Sequence, residues 1–219
     1  MIDFQLLIDS IPALLRGAVV TLQIASLSCA LGIFFGTLCG LGLTSPHKLV
    51  RYPLELYTTL FRGTPMLIQI LFVTLALPTL GIGVSRFWGV VWAIAFNSSA
   101  YIAHIIKSGI NSVSAGQREA GKTLGLSNIQ IIRYIVLPQA IQVVLPALGN
   151  EFITLVKDSS LASIVGVQEL TKEGEIISSR TLDALTVYMG VAIGYLIITT
   201  SLSIIVSLIE QRMNHHAQR

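Results

Sequence analysis

An all-α integral membrane protein with five spanning helices is the fold class this sequence predicts, and three observations carry that prediction. Of 219 residues, 53% are hydrophobic and only 11% charged, with a mean hydropathy of +0.76; a soluble domain carries about 25% charged residues. The apolar residues form runs long enough to cross a bilayer, which takes roughly 20 residues. The basic residues gather in alternate gaps between those runs. The same composition excludes disorder, and a count of two cysteines excludes a disulfide-bonded secreted scaffold. A formal net charge of +3 is too small to argue for nucleic-acid binding.

The spans are expected near 17–43, 53–78, 87–109, 138–158 and 184–209. The first rests on the charge-free stretch Ala18 to Leu43. It is read as retained rather than as a signal peptide: Asp3 and Asp9 precede it, no basic residue stands before Arg16, and the run is too long for a signal core. The second follows from the uncharged stretch after Arg62, and the third from Phe87 to Ile106. The fourth contains Glu151 and closes on Lys157 and Asp158, and the fifth opens after Asp183. No gap is long enough for a soluble domain, so residues 1–219 are read as one membrane domain. Gly32, Gly36 and Gly40 in the first span, and Gly190 and Gly194 in the last, are spaced for close helix packing. Cys29 and Cys39 stand roughly 15 Å apart along one helix and cannot bridge within it.

Five spans put the termini on opposite sides. Lys48, Arg51, Lys107, Arg118, Lys122, Arg133, Arg212 and Arg219 fall on one side, and Arg16, Arg86, Lys172 and Arg180 on the other. The positive-inside rule places the N-terminus outside and the C-terminus in the cytoplasm. The 168–183 loop, with Glu169, Glu173, Glu175 and Asp183, is then external.

Gly116 to Thr123 matches the G-x-x-x-x-G-K-[ST] phosphate-loop pattern letter for letter. A working phosphate loop needs a buried strand before it and an α/β domain around it. Here a membrane span precedes it and another follows, so the match is read as coincidence. Residues 117–133 read instead as two short amphipathic helices with a bend at glycine. Such a pair is a handle for a cytoplasmic partner or a helix lying on the headgroups, and physics alone leaves both open.

Glu119-Ala120-Gly121, three residues, Gly125, nine residues, then Ile135-Val136-Leu137-Pro138 resembles the EAA loop of ATP-binding-cassette importer permeases. One position departs: Gly121 stands where that pattern has alanine. Phe61-Arg62-Gly63-Thr64-Pro65, Asn97-Ser98-Ser99-Ala100-Tyr101 and Lys157-Asp158-Ser159-Ser160-Leu161 resemble the polar amino acid branch, the glutamine, histidine, arginine and cystine permeases. The resemblance implies a type I importer fold in the bacterial inner membrane, with a coupling loop at about 111–138. It implies a second permease subunit, identical or homologous, two cytoplasmic ATP-binding subunits, and an extracytoplasmic amino-acid-binding protein. ATP and magnesium then belong to the ATPase, and this chain binds no cofactor. Glu119, Ala120, Gly121 and Gly125 become the ATPase-coupling residues.

Within the spans, Thr64, Asn97, Ser98, Glu151, Lys157 and Asp158 are the candidate substrate-binding residues. Intramembrane ionisable groups are costly and are functional hypotheses by default. The plainer reading is an ion pair of Lys157 with one acid that only shapes the bundle. In the functional reading Lys157 takes the amino acid's carboxylate and Asp158 its ammonium. Glu151 then favours a cationic side chain, so arginine, lysine or histidine is expected over glutamine or cystine. Gly63-Thr64-Pro65 reads as a helix entry or break, and Arg62 as a side chain reaching for the inner interface. Asn97, Tyr101 and His104 share a helix face. His104 has no partners at metal-ligand spacing. No catalytic constellation is present, so the chain is not read as an enzyme. An ion-driven secondary transporter is disfavoured by the lack of an internal repeat.

Overall fold

A computed structural model describes residues 2–217, with side chains to Met213. Arg219 and the side chains of His215 and His216 lie outside the described residues.

Helix α1, Phe4–Leu43, is N-capped by Asp3, whose carboxylate accepts from the N–H groups of Gln5 and Leu6. It starts well before the expected residue 17, because Asp9 and Arg16 end an apolar run without ending a helix. Helix α2, Lys48–Gly63, and helix α3, Met66–Thr79, meet at a bend of 102° and are apolar enough as a pair to count as one candidate span. Helix α4, Arg86–Asn111, is N-capped by Ser85. A short helix α5, Ala115–Thr123, follows. Helix α6, Asn128–Val165, ends in a 3₁₀ stretch, Ser159–Val165. Helix α7, Leu170–Thr181, leads to the last, α8, Ala184–Ala217. Among the described residues, four helices are long and apolar enough to cross a membrane unbroken, and the bent pair makes five candidates. No strand occurs among the described residues.

The bend at Thr64-Pro65 has a local cause. Proline pushes the preceding residue out of the helical region, and Thr64 and Pro65 are both extended, with ψ of 143° and 135°. Two π turns, Phe72–Ala76 and Ile132–Val136, each stop just short of a proline, Pro78 and Pro138. A proline cannot donate the next helical bond, and a widened turn absorbs the defect.

Helix α4 lies at the centre. The glycine row of α1 packs on it: a Cβ at Gly36 would sit 2.7 Å from Ile102 and 2.8 Å from the Ser99 carbonyl. The expected close packing is therefore realised within the chain. Ile24, Ile70, Val90, Ile94, Leu155 and Val156 form the dry core around α4. Gly190 and Gly194 of α8 receive Leu7 and Leu14 of α1 and Leu170 of α7.

Candidate functional site

The break between α2 and α3 opens one wall of a polar cleft of about 450 Å3. Arg62, Gly63, Thr64, Pro65 and Met66 line it from the break, Asn97 and Tyr101 from α4, and Glu151, Thr154 and Asp158 from α6. A broken helix leaves carbonyls without donors. Here Gln69 donates to the carbonyls of Phe61 (2.9 Å) and Thr64 (3.2 Å) and to the Thr64 hydroxyl (2.7 Å). Asn97 donates to the Phe61 carbonyl (3.0 Å) and to the Gln69 side-chain oxygen (3.1 Å). Thr64 and Asn97 therefore brace the break as well as line the cleft. Gln69 escaped the sequence reading because its role depends on carbonyls that only the bend exposes.

The Asn97-Ser98-Ser99 run divides its work. The Ser98 hydroxyl donates to Glu151 (2.9 Å). Ser99 bonds the Phe96 carbonyl and the Tyr57 hydroxyl, joining α2 to α4. Glu151 and Asp158, seven residues apart on α6, both reach the cleft. Lys157 does not line it and is exposed. Adjacent helical residues point about 100° apart, so a helix that turns Asp158 inward turns Lys157 away. The cation in the cleft is instead Arg62, 5.2 Å over the Tyr101 ring. It lines the cleft and is itself exposed. Ion pairs among the described residues are Arg51–Glu55 and Lys172–Glu175, so neither Lys157 nor Arg62 makes a direct ion pair with an acid.

At the far end of α4 lies the loop singled out by its motif. Helix α5 begins at the N-cap Ser114, and α6 at Ser127, whose side chain and that of Gln130 form a capping box. Between them Gly125 has φ +76°, a left-handed turn that glycine adopts without strain. Glu119 and Ala120 are exposed, while Gly121 is buried against Ile131 and Ile135. A Cβ there would meet the Ile135 side chain at 2.8 Å, so this chain packs tighter than one with alanine. Leu124 and Ile129 stand 80% and 77% exposed beside Glu119's helix, an apolar surface without a covering element. Gly116 to Thr123 is helix throughout with no strand before it, so the phosphate-loop spelling has no phosphate-loop geometry.

His104 shares a hydrogen bond with Thr58 (3.3 Å) and lies in no metal cluster; among the described residues none exists. Sequence reasoning left Glu169 in an external loop, yet its side chain is fully buried. It caps α7 through the N–H groups of Thr171 (2.9 Å) and Lys172 (2.8 Å), and accepts from Tyr195 (2.7 Å) and Thr21 (3.3 Å). Burial pushes its carboxyl above the usual range, against the pull of those four bonds.

The family described as "binding-protein-dependent transport system inner membrane component" matches residues 32–215. The glutamine transport system permease protein GlnP of Escherichia coli strain K12 is 39% identical over 213 residues, 96% of this chain and 97% of that protein. The arginine transport system permease protein ArtQ of Bacillus subtilis strain 168 is 32% identical over 213 residues, 97% of each. A chain from the crystal structure of an amino acid ABC transporter with histidines superposes with a TM-score of 0.92 at 36% identity, covering 97% of this chain and 99% of that one.

Proposed function

Because this chain belongs to the family of binding-protein-dependent transport system inner membrane components, we propose that it is the permease subunit of an ATP-driven importer of basic amino acids. Relatives named for glutamine and for arginine support the amino acid class and leave its member open. The observation that carries the choice is the charge of the cleft. Arg62 contributes one positive charge and Glu151 and Asp158 two negative, which leaves one net negative. Arginine or lysine, net positive by one, balances it; glutamine leaves one acid uncompensated. In this reading Arg62 takes the carboxylate as a planar donor pair. Asp158 takes the α-ammonium, and Glu151, oriented by Ser98, takes the side-chain cation. Thr64, Asn97 and Thr154 supply polar walls.

The whole chain acts as one membrane domain that opens to alternate sides. Two ATP-binding subunits dock on the α5 end through Glu119, Leu124 and Ile129, and hold the ATP and magnesium. That end is cytoplasmic and the N-terminus external, in the inner membrane. An amino-acid-binding protein delivers substrate to the opposite end, and a second permease subunit closes the cleft's open side, where charged groups would otherwise meet lipid.

The test is uptake of labelled arginine and glutamine into proteoliposomes holding the assembled transporter, with and without ATP and binding protein. ATP-dependent uptake that prefers arginine and is lost in Glu119→Ala is expected. Uptake driven by an ion gradient alone overturns the importer reading, and a preference for glutamine overturns the assignment of the cleft.

A further inference from the structure

We propose that Arg118 is a positioning residue that ties the coupling helix α5 to α4, one wall of the cleft; the proposal rests on the importer reading above. The last carbonyls of a helix have no donors within it. At the end of α4 the Ser112 N–H and hydroxyl bond the carbonyls of Ser108 (2.9 Å) and Gly109 (2.8 Å). The next carbonyl, that of Ile110, is taken by the guanidinium of Arg118, from another helix. A cation there also meets the negative end of the α4 dipole. Arg118 is half-buried, its Nε enclosed, while the adjacent Glu119 is exposed. One helix thus presents Glu119 outward and anchors Arg118 inward.

The other attachment of α5 is apolar and runs mainly to α6, with Ile110 of α4 packed at its edge. Gly121 packs on Ile131 and Ile135, and Val113 of the preceding turn is buried with Ile131 and Val136. The cleft has polar residues from both sides: Asn97 and Tyr101 on α4, Glu151 and Asp158 on α6. The apolar seat reaches α6 and, through Ile110, the end of α4, by side-chain packing that fixes no direction. The Arg118 bond to the Ile110 carbonyl adds a directed tie between α5 and the α4 wall. Arginine suits this because its rigid fork fixes direction as well as charge, which a lysine ammonium does less well.

The experiment compares wild type, Arg118→Met and Arg118→Lys in the complete reconstituted transporter. It measures binding of the ATP-binding subunit, ATP hydrolysis, and arginine taken up per ATP. In Arg118→Met the subunit stays bound, hydrolysis without substrate stays within about twofold, and uptake per ATP falls about tenfold; Arg118→Lys recovers part of it. Amide hydrogen exchange around Val113 quickens in Arg118→Met. Unchanged uptake per ATP overturns the tie, and loss of the bound subunit moves Arg118 into the docking contact instead. Wild-type uptake that needs no ATP removes the importer reading and the coupling role with it. That outcome is distinct from ATP-driven uptake that Arg118→Met leaves intact.

Discussion

Glu169, where α7 meets α1 and α8, is fully buried, and Glu151, in the cleft, is half-buried; their surroundings differ further. An ionised carboxylate offers about four acceptor sites. Glu169 has no exposed surface and receives four donors, from Thr171, Lys172, Tyr195 and Thr21. Glu151 receives one, from Ser98, and turns toward a cleft of about 450 Å3. A buried acid whose acceptors are filled by its own chain is a structural joint. One whose acceptors are left open is, in the function proposed above, a place for a donor from outside. Burial alone does not mark an acid for binding, and the count of filled acceptors separates these two.

The largest effect follows from removing the filled one. Glu169→Ala strips the cap of α7 and leaves buried donors unpaired, so a loss of about 3 kcal/mol is expected, read by denaturant unfolding in detergent. A loss as small from Glu169→Ala as from Glu151→Ala would erase the distinction. Next comes the open acid. Glu151→Gln is expected to leave stability nearly unchanged and to lower arginine uptake relative to glutamine about tenfold, or about 1.4 kcal/mol. Competition uptake measures this, and an unchanged ratio would remove Glu151 from the binding site. Smaller again, Tyr195→Phe deletes one of four donors to Glu169, at a cost of about 1 kcal/mol.

The smallest effect is on pH. Burial holds the folded Glu169 carboxyl above its usual range. A raised folded value means that the group's stabilisation is full below the unfolded value, near ~4.3, and is lost as pH rises through the folded value. Wild-type stability should therefore decline across that window relative to Glu169→Gln, which has no proton to lose. A difference that grows with pH would show that the four donors outweigh burial.

Composition and run length determine much of this protein. Charge-free runs of bilayer length dictate spanning helices, because lipid leaves the backbone no other partner. The Gly63-Thr64-Pro65 break was legible for a local reason, the missing proline N–H, and so was the glycine turn at Gly125. The seven-residue spacing of Glu151 and Asp158 already placed them on one helix face. What the sequence could not decide was which side chains meet across helices. Lys157 and Arg62 are both cations near a membrane acid, and only the rotation of α6 and the 102° bend decide that Arg62 enters the cleft. Gln69 and Arg118 find their acceptors on carbonyls freed by helix ends, which no spacing rule marks. Glu169 looked like a surface acid because its donors lie as many as 148 residues away in the chain. Local rules follow from covalent geometry and the solvent, so the sequence carries them; partnerships between helices depend on rotation and depth, which only the packed bundle sets.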